Sequence, residues 1–256
     1  MKLFTVLLLV VGLPVFLAAQ VPANSREILA RIDRQVTFMD SDYSAQVDIV
    51  QKKPEEGESF TSVALFRRDR DSEYLIMVLK PDSDKGKGYL KIGPNLWLYD
   101  PVARRFTVTS AKDRFQNSNA RNSDFTRSSL AEDYKIVDSY PQKLGSLNTT
   151  VYVLQAIHND VTFPRTKLWV TPDHLVRLSQ DFSLSGQLLR TTAIPTYQRV
   201  GNRFVPYKMV IIDELRGKEV DGKFEHEMTQ ITITKPSLDP LPDIMFTQTY
   251  LEKMAQ

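Results

Sequence analysis

Hydrophobic residues recur with a period of two along most of the chain, and this pattern restricts the fold more than any other feature. About eleven short runs rich in β-branched and aromatic residues are separated by turns that contain proline, glycine or aspartate. No series of alternating strands and helices is present, which argues against a parallel nucleotide-binding sheet. The pattern predicts a mainly β protein with few helices, an antiparallel meander closed or half closed into a barrel. The predicted strands are residues 45–50, 60–67, 73–80, 89–92, 96–99, 151–157, 166–170, 175–183, 188–195, 204–213 and 225–234.

The first 19 residues have the features of a cleavable export signal. Lys2 gives a positive start, an apolar run follows, and Ala18 and Ala19 offer small residues for cleavage. The apolar run has about 15 residues, fewer than the roughly 20 that span a bilayer. The chain contains no cysteine, which excludes disulfide bonds and an acylated cysteine anchor. We therefore expect a signal peptide at residues 1–19 and a single exported domain at residues 20–256 that is not lipid-anchored.

Two segments depart from the strand pattern. Residues 24–39 carry apolar side chains at helical spacing after a capping residue, Asn24, which predicts an amphipathic helix with one face to bury. Residues 110–134 are mostly polar with few large apolar side chains. This composition predicts a long loop followed by a short helix that is capped near Ser123 or Asp124.

The sequence shows no motif for nucleotide, metal or nucleophile chemistry. The KGKG run at residues 85–88 lies between two predicted strands and lacks the spacing of a phosphate-binding loop. His158, His174 and His226 lie on or beside different strands, without the spacing of metal ligands. The GxSxG signature of a serine nucleophile is absent, and 33 basic against 31 acidic residues leave too little charge for a nucleic-acid surface. We therefore expect no catalytic residues, no metal, no cofactor, no nucleic-acid partner and no enzymatic activity.

Three strand-like runs are apolar on both faces, whereas strands of a sheet with one wet face alternate. They are YLIMVLK at residues 74–80, LWLY at 96–99 and KMVII at 208–212. Either both faces are covered by protein, as in a core packed under the N-terminal helix, or one face lines a cavity for an apolar ligand. The pattern alone leaves both alternatives open.

Several segments, in a fixed order along the chain, carry a family resemblance. They are KGKGYLKIGPNLWLYDP (85–101), ARRF (103–106), NSDF (122–125) with Glu132 and Asp133 after it, KLWVTPDHLVRLSQDFSLSGQLLRT (167–191) and PDIMFTQTYLEK (242–253). In this order they resemble the outer-membrane lipoprotein-sorting protein family, relatives of the periplasmic carrier LolA. One departure is Asn122, where many relatives carry glycine. Asparagine also tolerates a positive φ, so the turn is expected to survive.

This resemblance implies a half-open antiparallel β-barrel of about 11 strands around a hydrophobic cavity, covered by the N-terminal helix and a loop-helix lid. Strand alternation allows only half of the wall residues to face inward, and the sequence leaves their parity open. The expected cavity wall comprises Ile76, Val78, Leu90, Ile92, Leu96, Trp97, Leu98, Tyr99, Leu168, Trp169 and Val170. The expected lid residues are Ile28, Leu29, Ile32, Val36 and Phe125, and the expected rim or partner-binding residues are Arg104, Arg105, Asn122, Ser123 and Asp124.

The resemblance also implies a function. A protein of this family would be a periplasmic carrier that binds the acyl chains of lipoproteins, or lipids, and moves them from the inner to the outer membrane. It would act as a monomer, contact membranes transiently, and have an inner-membrane transporter and an outer-membrane acceptor as partners. One chain of about 16 carbons is worth roughly 12 kcal/mol of transfer from water, so the cavity must be apolar and must open reversibly. Two other hypotheses stay open: an envelope-stress sensor or regulatory protein that uses the same cavity to recognise mislocalised lipoproteins, and an exported hydrolase.

Overall fold

The structure is a computed structural model that describes residues 21–54 and 56–255, so the predicted signal at residues 1–19 lies outside the described part. The helices are α1 (Ser25–Val36), α2 (Leu130–Asp133) and α3 (Gln248–Met254). The strands are β1 (Tyr43–Lys53), β2 (Gly57–Arg68), β3 (Glu73–Lys80), β4 (Gly88–Ile92), β5 (Asn95–Asp100), β6 (Arg105–Val108), β7 (Tyr134–Leu144), β8 (Leu147–Ala156), β9 (Arg165–Val170), β10 (Val176–Phe182), β11 (Leu188–Val200), β12 (Arg203–Val220) and β13 (Lys223–Ser237). Within these described residues, no helix is both long and apolar enough to cross a membrane.

All thirteen strands belong to one antiparallel sheet in the order β6-β5-β4-β3-β2-β1-β13-β12-β11-β10-β9-β8-β7. The sheet is open, because its two edge strands, β6 and β7, are not paired with each other. The prediction of a mainly β antiparallel fold is confirmed, but the expected count of about eleven strands is too low. The two strands missed are the edges: β6 has four residues, none of them buried, and β7 contains Pro141 and several polar residues. Edge strands need neither a buried face nor a full set of N–H donors, so their sequences carry a weak strand signal.

The apolar side chains form three clusters. The inner-face cluster lies on one face of β1 to β5, β12 and β13, the α1 cluster joins α1 to β7, β8 and β9, and the C-terminal cluster lies on the other face of β3 to β5. The inner-face cluster includes Phe38, Val47, Leu65, Ile76, Phe115, Phe125, Ile211 and Ile231. The α1 cluster includes Leu29, Ile32, Ile136, Leu154, Leu168 and Val170. The C-terminal cluster includes Leu75, Leu90, Tyr99, Met245, Phe246 and Leu251.

The parity of β3 explains why this strand is apolar on both faces. Tyr74, Ile76 and Val78 belong to the inner-face cluster, whereas Leu75 is fully buried beneath the C-terminal segment. Successive side chains of a strand point to opposite faces, so each face of β3 has its own cover. For this part of the sheet, the first of the two alternatives is correct: the protein covers both faces.

Helix α1 lies where the sequence predicts an amphipathic helix, with Leu29 and Ile32 buried. It ends at Val36, three residues before the predicted end, and the Asn24 side chain makes no capping hydrogen bond. Glu27 instead forms an ion pair of 2.6 Å with Arg31 one turn later. The helix is therefore held by its buried face, in keeping with the general rule that tertiary packing stabilises short helices.

Candidate functional site

An apolar cavity of about 290 Å³ lies between the inner face of the sheet, α1 and the segment at residues 123–130. Most of its lining is hydrocarbon, and the sheet contributes through β1, β2 and β9 to β13. The polar groups that reach it come mainly from the 123–130 segment. Its apolar lining comprises Ile32, Val36, Phe38, Tyr43, Val47, Leu65, Phe125, Leu130, Leu168, Leu175, Val176, Ile194, Tyr197, Val205, Pro206, Met209, Ile231 and Ile233.

A second cavity, which we call the polar chamber, adjoins the apolar cavity and has a volume of about 570 Å³. The 123–130 segment lies between the two, since several of its residues line both. Eleven of the residues that line the chamber are charged. They are Arg67, Asp69, Glu73, Lys91, Asp124, Arg127, Glu132, Asp133, Asp160, Asp181 and Arg190. A site with one apolar and one polar compartment suits a molecule with a tail and a head.

Asp33 of α1 fastens the helix to the 123–130 segment and to α2. Its carboxylate accepts hydrogen bonds from the Ser128 hydroxyl at 2.6 Å and from the backbone N–H groups of Leu130 and Ala131 at 2.9 Å each. The carboxylate thus caps the N-terminus of α2 from a different helix. Burial raises the pKa of Asp33 above its ordinary value, and the three hydrogen bonds oppose that rise. The two parts of the predicted lid are therefore joined by one half-buried acidic side chain.

Two arginines hold the chain that follows α1. Arg67 forms a two-pronged pair with Asp69, at 2.9 and 2.7 Å, and also donates to the carbonyl of Val36 at 3.2 Å. Arg203 donates to the carbonyl of Thr37, stacks its guanidinium over a neighbouring aromatic ring and pairs with Asp40 at 2.9 Å. Cations at the C-terminus of a helix satisfy its last carbonyl groups and its dipole.

A buried charge network holds the other side of the 123–130 segment. Arg190 of β11 pairs with Asp124 at 2.8 Å and with Asp181 of β10 at 2.9 Å. Burial opposes the charge of Arg190, but the two carboxylates outweigh it and raise its pKa. Burial also raises the pKa of Asp181, whose carboxylate accepts a further hydrogen bond from Thr166 at 2.9 Å. Removal of the arginine would leave two carboxylates in a water-poor site.

The structure divides the expected wall residues between the two faces of the sheet. Leu168 lines the apolar cavity, and Val170 packs under α1. Trp169 is buried with its indole N–H donating to Gln142 at 3.2 Å. Ile76, Val78, Leu96 and Leu98 face inward but belong to or pack against the inner-face cluster, outside the lining of the apolar cavity.

Of the eleven expected wall residues, only Leu168 lines the apolar cavity, so the rest of that prediction is corrected, and four of the residues lie on the opposite face of the sheet. Leu90 and Tyr99 are buried in the C-terminal cluster, and Ile92 and Trp97 pack against it. They lie on the opposite face because residues opposite one another across strands share a face, and Leu90 stands opposite Trp97. Of the pair Trp97 and Leu98, it is Leu98 that faces inward.

The expected lid residues lie together, whereas the expected rim residues separate into two groups. Ile32, Val36 and Phe125 line the apolar cavity, and Leu29 and Ile28 belong to or pack against the α1 cluster. Ser123 and Asp124 lie between the two cavities, and Asn122 is fully buried beside them. Arg104 and Arg105 lie on the exposed β5–β6 hairpin, outside the lining of both cavities. They therefore do not border either cavity, and their role in a partner contact stays a prediction.

The expected wall residues omit the part of the wall that comes from β1, β12 and β13, although Met209 lies in the run at residues 208–212 for which a cavity was one of the two alternatives. Val47, Met209, Ile231 and Ile233 line the apolar cavity, and a period-two pattern in residues 208–234 was the available signal. It identifies the buried face but does not distinguish a packed core from a cavity. Among the described residues, no group of three or more histidine, aspartate or glutamate side chains could hold a metal ion.

Comparisons with known proteins agree with this architecture. The chain superimposes on a LolA superfamily protein from Nitrosomonas europaea (TM-score 0.74, 22% identity, 90% of this chain and 100% of that one). It also superimposes on a domain described as an outer membrane lipoprotein-sorting protein from Vibrio parahaemolyticus (TM-score 0.75, 16% identity, 89% and 98%). A DUF1329 family protein from Desulfovibrio piger is similar to the same degree (TM-score 0.76, 15% identity, 89% and 97%). At these identities the likeness establishes the fold.

Sequence comparison gives the family. Among curated proteins, no sequence matches this chain significantly. A family model with the description "Uncharacterized protein" matches residues 70–253, which is more than half of the chain. The fold that the resemblance implies is confirmed by the structural matches. This protein therefore belongs to the family that the matching model describes, and it is built on the LolA-like fold.

Proposed function

We propose that this protein binds an acyl chain of a lipoprotein or lipid in the apolar cavity and carries it through the periplasm from the inner to the outer membrane. The observation that carries the proposal is the hydrocarbon-lined cavity enclosed by the sheet, α1 and the 123–130 segment. Binding sites for apolar ligands are concave, mostly apolar and largely preformed, as this one is. The Vibrio parahaemolyticus domain with the same fold is described by its sorting of lipoproteins, which supports the same direction.

The size of the cavity constrains how cargo enters. A volume of about 290 Å³ is at the lower end of the roughly 300–1,000 Å³ of ordinary ligand sites. One chain is the largest reasonable load in this state, and a cargo with several chains requires α1 and the 123–130 segment to move. Both are fastened by polar contacts of charged side chains, at Asp33, Arg67 and Arg203, and water replaces each of these contacts at a net cost of about 1.5–3 kcal/mol. The enclosure is thus suited to reversible opening.

The proposed location and partners follow from the proposed cargo. The export signal predicted at residues 1–19 supports a periplasmic protein. We propose that it acts as a monomer, receives cargo from an inner-membrane transporter, delivers it to an outer-membrane acceptor and contacts membranes only transiently. We propose a binding protein and not an enzyme, because the site offers enclosure and charge without an evident nucleophile-base pair.

Filling the cavity tests the proposal directly. Met209 lines the cavity and is only partly buried, so Met209→Trp should occupy the space meant for the ligand. We expect wild type to retain lipid in native mass spectrometry and to bind a fluorescent fatty acid, and the variant to bind it at least about tenfold more weakly, a loss of about 1.4 kcal/mol. The matched control is Leu215→Trp, which places the same ring at a side chain that is 51% exposed. Absence of any bound or displaceable lipid in wild type would refute the proposal.

A transfer assay separates the carrier from the sensor. With labelled lipoprotein in donor vesicles, a carrier moves the label to acceptor vesicles at a rate proportional to its concentration. A sensor binds the same lipid and captures a protein partner without transfer. Release of free fatty acid from ester substrates would instead favour a hydrolase.

A further inference from the structure

A polar row crosses the inner face of the sheet at the boundary between the two cavities. Tyr43 of β1 stands opposite Arg67 of β2, Arg67 opposite Tyr74 of β3, and Tyr74 opposite Lys91 of β4. Directly opposed residues share a face, and adjacent strands are about 4.8 Å apart, so the four side chains form a continuous line. We call these four residues the polar row.

The inward-facing row on one side of it is apolar. The next inward-facing row consists of Ala45, Leu65, Ile76 and Tyr89, again opposite one another. All four are buried in the inner-face cluster. Along each of these strands, the inner face therefore changes from apolar side chains to charged or hydroxyl-bearing ones over a distance of two residues.

The polar row also joins the two cavities. Tyr43 and Arg67 line the apolar cavity, while Arg67, Tyr74 and Lys91 line the polar chamber. Arg67 belongs to both linings. A ligand with its tail in the apolar cavity would therefore bring its head group to this row.

Two hydroxyl groups of the row have unused hydrogen-bonding capacity. Tyr43 is 3% exposed and Tyr74 is 1% exposed, and neither hydroxyl has a hydrogen-bond partner in the described part of the chain. Leaving such a group unsatisfied costs about 1–3 kcal/mol. Burial raises the pKa of both phenols, that of Tyr43 to about 12, so both remain donors at neutral pH.

Lys91 has unused capacity as well. Its ammonium donates to the carbonyl of Ser72 at 3.0 Å and to the carbonyl of Gly93, which occupies two of its three donors. No carboxylate among the described residues forms an ion pair with it. Burial lowers its pKa, and the nearby Arg127 lowers it further. By contrast, Arg67 is paired with Asp69 at 2.7 Å, and Arg127 is paired with Glu132 at 2.9 and 2.6 Å.

We infer that the polar row is a site for the anionic oxygen group, phosphate or carboxylate, of a single-chain amphiphile whose tail occupies the apolar cavity. Lys91 and the Tyr74 hydroxyl donate to the anion, and the Tyr43 hydroxyl donates to the first polar atom between head and tail. The bound anion supplies the counter-charge that Lys91 lacks and the acceptors that the two phenols lack. This inference rests on the proposed function, since it assigns the head group of the same ligand.

The test compares ligands that differ only in the head. Dodecyl phosphate, dodecanoate and dodecanol compete for a fluorescent probe with a neutral head, and inorganic phosphate alone is the fourth competitor. We expect wild type to bind the two anionic amphiphiles at least about tenfold more tightly than dodecanol, because hydrogen bonds to charged groups contribute about 1.5–3 kcal/mol. Lys91→Met should reduce that ratio about tenfold and Tyr74→Phe by a smaller factor. Lys135→Met, on an exposed lysine of β7, should leave the ratio unchanged.

The outcomes separate the two proposals. If all three amphiphiles bind wild type equally, or if Lys91→Met keeps the full preference, the head-group site is refuted while the acyl-binding function stands. If no amphiphile binds, the proposed function itself fails. If inorganic phosphate competes as well as dodecyl phosphate, the site recognises free phosphate and the lipid source is refuted. Urea unfolding shows whether Lys91→Met is folded. Tyr74→Phe gives a second, independent test of the site, since its phenyl ring preserves the packing of β3.

Discussion

The backbone of Gly88 lies directly under the side chain of Leu251, and this contact gives a sharp prediction. A methyl group added at Gly88 would lie 2.3 Å from one methyl carbon of Leu251 and 2.9 Å from the other. Leu251 of α3 is fully buried in the C-terminal cluster, so it has little room to move. The glycine at the start of β4 is therefore required for close packing of α3, and the KGKG run is explained without a phosphate ligand.

The expected free energies follow from packing. Gly88→Ala overpacks the C-terminal cluster and should lower the free energy of unfolding by about 1–3 kcal/mol. Leu251→Ala removes a fully buried side chain and should lower it by about 2–5 kcal/mol. In the double variant the new methyl group occupies space vacated by the leucine. The loss of unfolding free energy in the double variant should therefore be about 1–3 kcal/mol smaller than the sum of the losses in the two single variants.

Urea unfolding of the four proteins, followed by circular dichroism at one protein concentration, measures this cycle. Val102→Ala, at a side chain that is 89% exposed, is the control and should change the free energy of unfolding by less than about 0.5 kcal/mol. If the effects of Gly88→Ala and Leu251→Ala on the free energy of unfolding are additive, close packing against Leu251 does not explain the glycine at position 88. The account of residues 85–88 would then be wrong.

Two further predictions concern the contacts that hold the 123–130 segment. Asp33→Ala removes the cap of α2 and should cost about 0.5–2 kcal/mol, seen as faster hydrogen exchange in residues 123–133. Because burial raises the folded-state pKa of Asp33, the folded protein holds the proton more readily than the unfolded chain does. Wild type should therefore gain stability relative to Asp33→Asn as the pH falls from 7 toward 4. Arg190→Met leaves Asp124 and Asp181 unpaired and should cost about 3–5 kcal/mol at pH 7. That loss should shrink at pH 5, where Asp181, whose pKa is raised by burial, takes up a proton more readily. Arg104→Met, at an exposed arginine, should show neither effect.

The sequence predicts the buried faces of this protein well, because a period of two marks a strand wherever one face is covered and the other is wet. Eleven of the strands follow from their short β-rich runs, and helix α1 follows from apolar residues at helical spacing. The parity of β3 to β5 does not follow, since both of their faces are apolar. The cover of the second face comes from Met245, Phe246 and Leu251, about 150 residues later in the chain. A local pattern carries no information about a contact of that length, and so the sequence leaves open which face Leu90, Ile92, Trp97 and Tyr99 occupy.

The cavity is hard to predict for a different reason. Met209 and Ile231 have the alternation of ordinary core residues, and they line a cavity only because no side chain from α1 or the 123–130 segment fills the space above them. Whether that space is filled depends on where Asp33 and Arg190 hold the segment. Those contacts join residues about 60 to 100 positions apart, and neither follows from spacing or composition.

The 123–130 segment is the element on which both proposals depend. It is tied to α1 through Asp33 and to β11 through Arg190, and it lies between the apolar cavity and the polar chamber. The tail of an amphiphile can enter the apolar cavity, and its head group can reach the polar row, only if the 123–130 segment moves or leaves an opening to both. Entry of tail and head should therefore be coupled. A variant that releases the segment at Asp33 should speed the association of dodecyl phosphate and of dodecanol by the same factor, because it lowers a barrier that both share. A change at Lys91 should instead act on dissociation of the phosphate alone, since that contact forms only after the segment has closed.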